Sequence, residues 1–159
     1  MKKWWLIGAA ALVAVLLFAG SVYMEVKSGL HEESDKAEKA AIREFNLVRI
    51  TKSEHFYKNE AYEVVEGVDR SGRKMIVWVD SKGRATAQPA DSGLNEKEIK
   101  EAVRSKYGNV EIIDARLGME DGQPLWEVVY TDRSGRYTFY YGYFENGKRY
   151  VKYSIKDNT

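Results

Sequence analysis

A segment of this chain occurs twice, and this repeat constrains the fold more than any other feature of the sequence. Residues 62–73 read Tyr-Glu-Val-Val-Glu-Gly-Val-Asp-Arg-Ser-Gly-Arg, and residues 126–136 read Trp-Glu-Val-Val-Tyr-Thr-Asp-Arg-Ser-Gly-Arg. Each copy alternates apolar and polar residues and then enters a polar turn, a pattern typical of an antiparallel β-hairpin. The repeat therefore indicates two copies of one structural unit.

Each copy predicts one helix followed by four antiparallel strands. In the first unit, Ala37, Ala40, Ala41 and Phe45 fall on one stripe of a helix at residues 34–45, which favours packing against a sheet. The strands are expected at residues 46–57, 61–68, 74–80 and 84–87.

The second unit carries clearer helix signals. Asn95 and Glu98 form a capping box, and Gly108 ends the helix that follows. Strands are expected at residues 110–119, 125–132, 136–145 and 149–155. The predicted fold is α+β, with two tandem units at 34–87 and 95–159, each a helix on a curved four-stranded antiparallel sheet, joined by a linker at 88–94.

The two parts of the repeat differ in spacing. The Glu-Val-Val match lies at an offset of 64 residues and the Asp-Arg-Ser-Gly-Arg match at 63, so the first copy has one additional residue between Val65 and Asp69. Gly67 is the natural place for a β-bulge there.

Residues 4–24 carry no charge, and 21 residues are enough to cross a bilayer core of roughly 30 Å. Lys2 and Lys3 precede them, which predicts a cytoplasmic tip at 1–3, a transmembrane anchor at 4–24, a stalk at 25–33 and extracytoplasmic units beyond. The alternative is a signal peptide cleaved near Ala19-Gly20-Ser21.

Composition excludes several function classes. The chain has no cysteine, so disulfides and a cysteine nucleophile are excluded, and its formal net charge of +1 gives no reason to expect nucleic acid as a partner. Ser71 and Lys74 match Ser-x-x-Lys, but they lie on a predicted turn, and the second copy has Tyr137 at the lysine position.

Metal and acid–base chemistry are equally unsupported. His31 and His55 share no ligand spacing, and the repeated Glu63 and Glu127 are expected to form cross-strand ion pairs. No catalytic residue, metal, cofactor or small-molecule substrate is predicted.

Aromatic residues are concentrated in the second unit, with seven of the eleven tyrosines between Tyr130 and Tyr153. A helix covers only one face of a sheet, and the residues predicted for the uncovered faces are Tyr140, Phe144, Val129, Val77 and Val79. Either these faces pack the two units together, or they form an exposed patch for a partner.

Residues 56–67 with 77–79, and 126–130 with 137–141, resemble the YpmB or TseB-like family of Gram-positive bacteria, whose units are cystatin-like as in the PepSY superfamily. The resemblance covers nearly the whole chain. It implies a non-enzymatic, single-pass membrane protein that modulates cell wall elongation beside a penicillin-binding transpeptidase. Two alternatives stay open: inhibition of an extracellular peptidase, which PepSY-type units also suggest, and binding of cell-wall glycan by the aromatic residues.

Overall fold

The computed structural model describes residues 12–13, 15–18, 32–108 and 110–155. The chain divides into two compact parts, residues 1–35 and residues 36–159, and the second part contains both repeats. Within the part of the chain that is described, no helix is long and apolar enough to cross a membrane. The predicted tip at 1–3, the predicted stalk up to residue 31 and most of the predicted anchor at 4–24 lie outside the described residues.

From residue 32 to residue 155, the described α-helices and strands follow the order that the repeat predicts: one helix, four strands, one helix, four strands. Helix α1 spans residues 32–45, and α2 is Glu96–Tyr107. The class is α+β, with one antiparallel sheet ordered β1-β2-β3-β4 and a second ordered β5-β6-β7-β8. The strands are Leu47–Tyr57 (β1), Ala61–Asp69 (β2), Lys74–Asp80 (β3), Ala85–Pro89 (β4), Glu111–Glu120 (β5), Gln123–Thr131 (β6), Tyr137–Tyr143 (β7) and Arg149–Ile155 (β8).

The segment between the two sheets is more ordered than a linker. Its first two residues, Gln88 and Pro89, complete β4, and Ala90–Ser92 form one 3-10 turn. The backbone N–H of Leu94 then donates to the carbonyl of Phe144 at 2.9 Å. The connection is therefore held to the second sheet before α2 begins.

The central hairpins of the two sheets match at a single offset. Val65 pairs with Val77, and 63 residues later Val128 pairs with Tyr140. Gly67 pairs regularly with Met75, so the bulge predicted at Gly67 is wrong. The irregularities lie on the neighbouring strand β1, where the register shifts twice opposite this part of β2. A Cβ at Gly67 would come within 2.7 Å of the Arg49 carbonyl oxygen, so the bulged strand requires glycine there.

This offset decides which face each side chain occupies, because a shift of one residue moves a strand residue to the opposite face. The repeated Glu-Val-Val motif is one residue out of structural register, so Glu63 lies on the face that α1 covers and Glu127 on the face that α2 leaves uncovered. The core under α1 contains Ala37, Ala41, Leu47, Val65, Val77 and Val79.

The second helix packs on its own sheet through Ile99 and Val103, and the buried residues on that face include Trp126, Val128, Tyr130 and Tyr140. Val77, Val79 and Tyr140 are therefore on helix-covered faces, and their prediction as uncovered residues is wrong. The physical reason is that both faces of β3 and β7 are apolar or aromatic, so composition does not indicate which of them a helix covers.

The remaining face of the first sheet packs against the second repeat. Trp78 meets Phe144 edge-on with ring centroids 5.8 Å apart, and the Phe56 ring lies against Gly118, where a Cβ would be 2.4 Å from it. Both repeats consequently share one buried cluster, to which the first contributes Phe56, Tyr62, Val64, Ile76 and Trp78.

Candidate functional site

Four of the five residues predicted to contact a partner are buried. Tyr140 and Phe144 are each 2% exposed, and Val77 and Val79 are also buried; Val129 is half-buried. The expectation of an exposed patch is wrong for those four, because helices cover three of them and the first sheet covers Phe144.

Tyr140 has a structural role in the core beneath α2. Its hydroxyl donates to the carbonyl of Gly147 at 2.6 Å, and its ring meets Tyr107 edge-on at 5.8 Å. Burial raises the pKa of the Tyr140 hydroxyl to about 12. This side chain anchors the β7–β8 turn and offers no surface to another molecule.

An exposed apolar surface lies on the opposite face of the second sheet. Tyr137, Tyr153 and Ile155 are 45%, 43% and 58% exposed, and the half-buried Phe139 and Val129 lie between them. The strand register makes them neighbours: Tyr137 faces Ile155, and Phe139 lies between Val129 and Tyr153. We call this surface the outer patch: Val129, Tyr137, Phe139, Tyr153 and Ile155.

The outer patch is preorganised by ring stacking. Phe139 and Tyr153 stack with centroids 5.5 Å apart and planes at 25°. Rigid aromatic side chains lose little conformational entropy on binding and are enriched at protein interfaces. Of the residues predicted from the sequence, Val129 alone belongs to this patch. Both faces of β7 carry aromatic residues, so the sequence pattern does not show which face α2 leaves uncovered.

A buried charge network lies directly beside the outer patch. Glu127 is 2% exposed; Nε of Arg116 donates to its Oε1 at 2.6 Å, and a terminal guanidinium nitrogen lies 2.6 Å from the same oxygen. The hydroxyl of Tyr141 donates to the other carboxylate oxygen, and Tyr153 donates to the Tyr141 hydroxyl at 2.9 Å. The network therefore fixes Tyr153, which is part of the outer patch.

The same contacts make Glu127 a poor acid–base catalyst, since both carboxylate oxygens are already occupied as acceptors. Burial raises the pKa of the Tyr141 hydroxyl, and the hydrogen bond it donates to Glu127 raises it further. Tyr141 therefore stays protonated and acts as a donor. Glu63 differs from Glu127 in its partner, because its Oε1 lies 2.6 Å from Nδ1 of His55.

A second polar cluster links the two repeats. Lys58 and Asn59, in the β1–β2 turn, both donate to the carboxylate of Glu120 at the end of β5. The Lys58 ammonium also lies 5.0 Å from the centroid of the Tyr141 ring. Lys58 and Glu120 are both largely buried, so this ion pair is part of the packing between the sheets.

The repeated turns have a structural explanation. The Asp69 carboxylate accepts from the Ser71 hydroxyl at 2.7 Å and from the Arg73 guanidinium at 2.9 Å. Asp132 makes the same contacts with Ser134 and Arg136. The Ser71 hydroxyl therefore donates to a turn carboxylate, and the Ser-x-x-Lys match is part of a turn, as the sequence indicates.

The serine in one surface cleft donates to the backbone. One cleft of about 230 Å³ is lined by Gln88, Ser92, Gln123, Pro124, Tyr143, Phe144 and Glu145. The Ser92 hydroxyl in this cleft donates to the carbonyl of Pro89 at 2.7 Å. An activated serine would instead donate to a general base.

Comparisons with known proteins point in one direction. Residues 36–80 match the family model for the cell wall elongation regulator TseB-like domain. The chain is 30% identical over 138 residues to the probable cell wall elongation regulator TseB of Bacillus subtilis (strain 168), covering 86% of each chain. The structure is similar to that of the YpmB protein from Bacillus subtilis, with a TM-score of 0.73 and 28% identity, covering 78% of this chain and 98% of that one.

Proposed function

Because this chain belongs to the family of TseB-like cell wall elongation regulators, we propose that it regulates wall elongation by binding another protein and not by catalysis. The relative in Bacillus subtilis carries a regulator's name, which supports the regulatory role. Among the described residues, the Asp69 carboxylate is engaged in a turn, and the Glu127 carboxylate and Tyr141 hydroxyl are engaged in packing.

The observation that carries this proposal is the outer patch. It is apolar, contiguous and stacked, and it lies on a face of the second sheet that no described helix covers. Exposed aromatic surfaces of this kind are typical of interaction sites. The Glu127 network beside it adds rigidity, which lowers the entropic cost of binding.

The more specific part of the proposal concerns the partner and the cellular location of the protein. The uncharged segment 4–24 supports a single-pass anchor that leaves the two PepSY-type units outside the cell membrane. A tethered module and a membrane-bound penicillin-binding transpeptidase search the same plane, so a weak contact reaches useful occupancy. The transpeptidase is therefore the partner class that we propose.

A photocrosslinking amino acid placed at Tyr137, in the full chain in its native membrane, tests the proposal. We expect capture of a wall-synthesis enzyme, identified by mass spectrometry. The matched control is the same amino acid at Val48, which is also exposed but lies on β1 of the first sheet. Equal capture from both sites, or no wall-synthesis enzyme from either, would contradict the proposal.

The same preparation separates the two alternatives. Purified cell wall that retains the protein, with loss of retention in a Tyr153→Ala variant, would assign the stacked rings to glycan binding. Inhibition of secreted peptidases would assign a cystatin-type role. The turn residues Asp69 and Asp132 give that role little support, because each ties its hairpin tip into a closed hydrogen-bond network.

A further inference from the structure

Two four-stranded sheets have four edge strands, and three of the four carry features that block pairing. Strand β1 has two register shifts, and bulges of this kind disrupt an edge. Strand β5 lies against the first repeat, where Lys58 contacts Glu120 and a Cβ at Gly118 would meet the Phe56 ring. Strand β4 has five residues and ends at Pro89, which has no N–H to donate. Edge protection is therefore the rule in this molecule.

Strand β8 is the exception among the described edges. Its one register shift falls at its beginning, between Arg149 and Val151, and from Val151 to Ile155 it pairs regularly with β7. Residues 152–155 are exposed, and no described strand pairs with their free side. Their outward backbone groups are available to an added strand.

The two faces of β8 favour different side chains on a strand that is added beside it. Val151, Tyr153 and Ile155 lie on the face of the outer patch, and Lys152 lies on the opposite face, where its ammonium is 4.5 Å from the Tyr107 ring centroid. Arg149 and Lys152 are exposed, and β8 contains no acidic residue. Neighbouring positions on the added strand would thus need to be apolar and acidic in alternation.

We propose that the free edge of β8 binds an extended segment of the partner protein as a fifth strand, one in which acidic and apolar residues alternate. This inference rests on the proposed function, because it specifies how the partner contacts the region of the outer patch. Main-chain hydrogen bonds between β8 and the added strand contribute affinity. Tyr153 and Ile155 provide apolar contacts on one face. Arg149 and Lys152 provide charge complementarity to the acidic residues on the other face.

A second copy of the chain is a poorer occupant of this edge. Pairing of β8 with its own counterpart would bring the basic residues Arg149 and Lys152 of both copies together, with no acidic residue on either strand. Like charges across neighbouring strands are destabilising. An acidic partner strand removes this repulsion and replaces it with ion pairs.

The first test uses a defined probe and the full chain in detergent micelles. The probe is an acetylated and amidated peptide of alternating Val and Glu, and its control has Lys in place of Glu. We expect saturable binding of the Glu peptide and no binding of the Lys peptide. The bound Glu peptide should slow hydrogen exchange in residues 151–155 and leave hydrogen exchange in β4 unchanged. Equal binding of both peptides, or protection confined to other strands, would overturn the inference.

Variants locate the binding site. The double change Arg149→Glu with Lys152→Glu should weaken binding of the Glu peptide by about tenfold, since two exposed ion pairs are lost. Ile155→Lys should weaken it through the other face, and Val48→Lys is the matched control, because Val48 and Ile155 are 61% and 58% exposed. Unfolding curves of all variants check that the fold is kept.

Crosslinking in membranes then separates the two proposals. If the β8 variants abolish capture from Tyr137 while Val48→Lys does not, both proposals hold. If capture of a wall-synthesis enzyme persists in every β8 variant, the fifth strand is rejected and the proposed function stands. If no enzyme is captured although the Glu peptide binds β8, the proposed function fails and the edge site is retained.

Discussion

At the scale of single residues, one turn design occurs three times among the described residues. Asp69, Asp80 and Asp132 each begin a five-residue Asp-x-x-Gly-Arg turn, and each carboxylate accepts from the arginine four residues later. The glycine in each turn has a positive φ, 83° at Gly72, which other residues rarely adopt. Two of these turns belong to the repeat, and the third, at Asp80, keeps the Asp, Gly and Arg positions but has Ser-Lys between Asp and Gly.

These turns predict how stability depends on acid. The Ser71 hydroxyl and the Arg73 guanidinium lower the pKa of Asp69 to about 2 from its ordinary 3.8. A lowered pKa in the folded state means that ionised Asp69 stabilises the fold above pH 3.8, and that this contribution is lost as the pH falls toward about 2. The difference in melting temperature between the wild type and Asp69→Asn should shrink across that window.

Thermal melts recorded by circular dichroism at several acidic pH values check this prediction. Asp91→Asn is the control, because Asp91 is exposed in the 3-10 turn. A difference between the wild type and Asp69→Asn that stays constant from neutral pH down to about pH 2 would show that the turn hydrogen bonds do not depend on the charge of Asp69.

The Glu127 network makes a second prediction at this scale. Replacing Glu127 by Gln removes a buried charge that accepts hydrogen bonds from Arg116 and Tyr141, and it should lower the free energy of unfolding by about 1–3 kcal/mol. Urea denaturation measures the change, with Glu111→Gln on the exposed start of β5 as the control. Equal stabilities of the two variants would mean that the network contributes nothing to folding.

At the scale of elements, local signals were sufficient where the contacts are local. The predicted capping box is confirmed: Glu98 N–H donates to the Asn95 side chain at 3.1 Å, and Asn95 N–H donates back to the Glu98 carboxylate at 2.8 Å. The end of this helix at Gly108 is confirmed as well. Both features depend on residues within one helical turn, which is why sequence alone predicts them.

The capping box can be measured directly. Asn95→Ala should destabilise the protein by about 1 kcal/mol, because it leaves a donor at the start of α2 without its acceptor. Lys97→Ala is the control within the same turn, where its exposed side chain makes only a long 3.9 Å ion pair with Glu101. A loss for Lys97→Ala as large as for Asn95→Ala would assign the effect to helix propensity.

The faces of the sheets could not be predicted in the same way. Residues 75–79 of β3 are apolar without interruption, so their alternation does not say which face α1 covers. The answer depends on the register between β1 and β2, where Gly67 faces a bulged strand. The aromatic composition indicated an apolar surface in the second repeat, but both faces of β7 are aromatic, so composition did not show that Tyr140 lies on the face that α2 covers.

At the scale of the whole molecule, the two repeats share one core, and packing between the repeats is one of the two alternatives that the sequence leaves open for the uncovered faces. The contacts that join them connect residues far apart in the chain: Phe56 with Gly118, Trp78 with Phe144, and Lys58 with Glu120. The hydrophobic periodicity of the sequence does not indicate contacts between residues so far apart in the chain. A shared core predicts that residues 36–159 unfold in a single cooperative transition.

Gly118 tests this coupling most sharply. A methyl group at Gly118 would lie 2.4 Å from the Phe56 ring, so Gly118→Ala must displace that ring and should cost about 1–3 kcal/mol. In a Phe56→Leu background the smaller side chain leaves room for the methyl group, and the same change should cost much less.

A double-mutant cycle by urea denaturation measures the difference. If the two changes are additive, Phe56 and Gly118 do not contact each other in solution. If they couple, and each unfolding curve keeps a single transition, the first sheet is bound to the second through this contact, and the β8 edge stands on a rigid support.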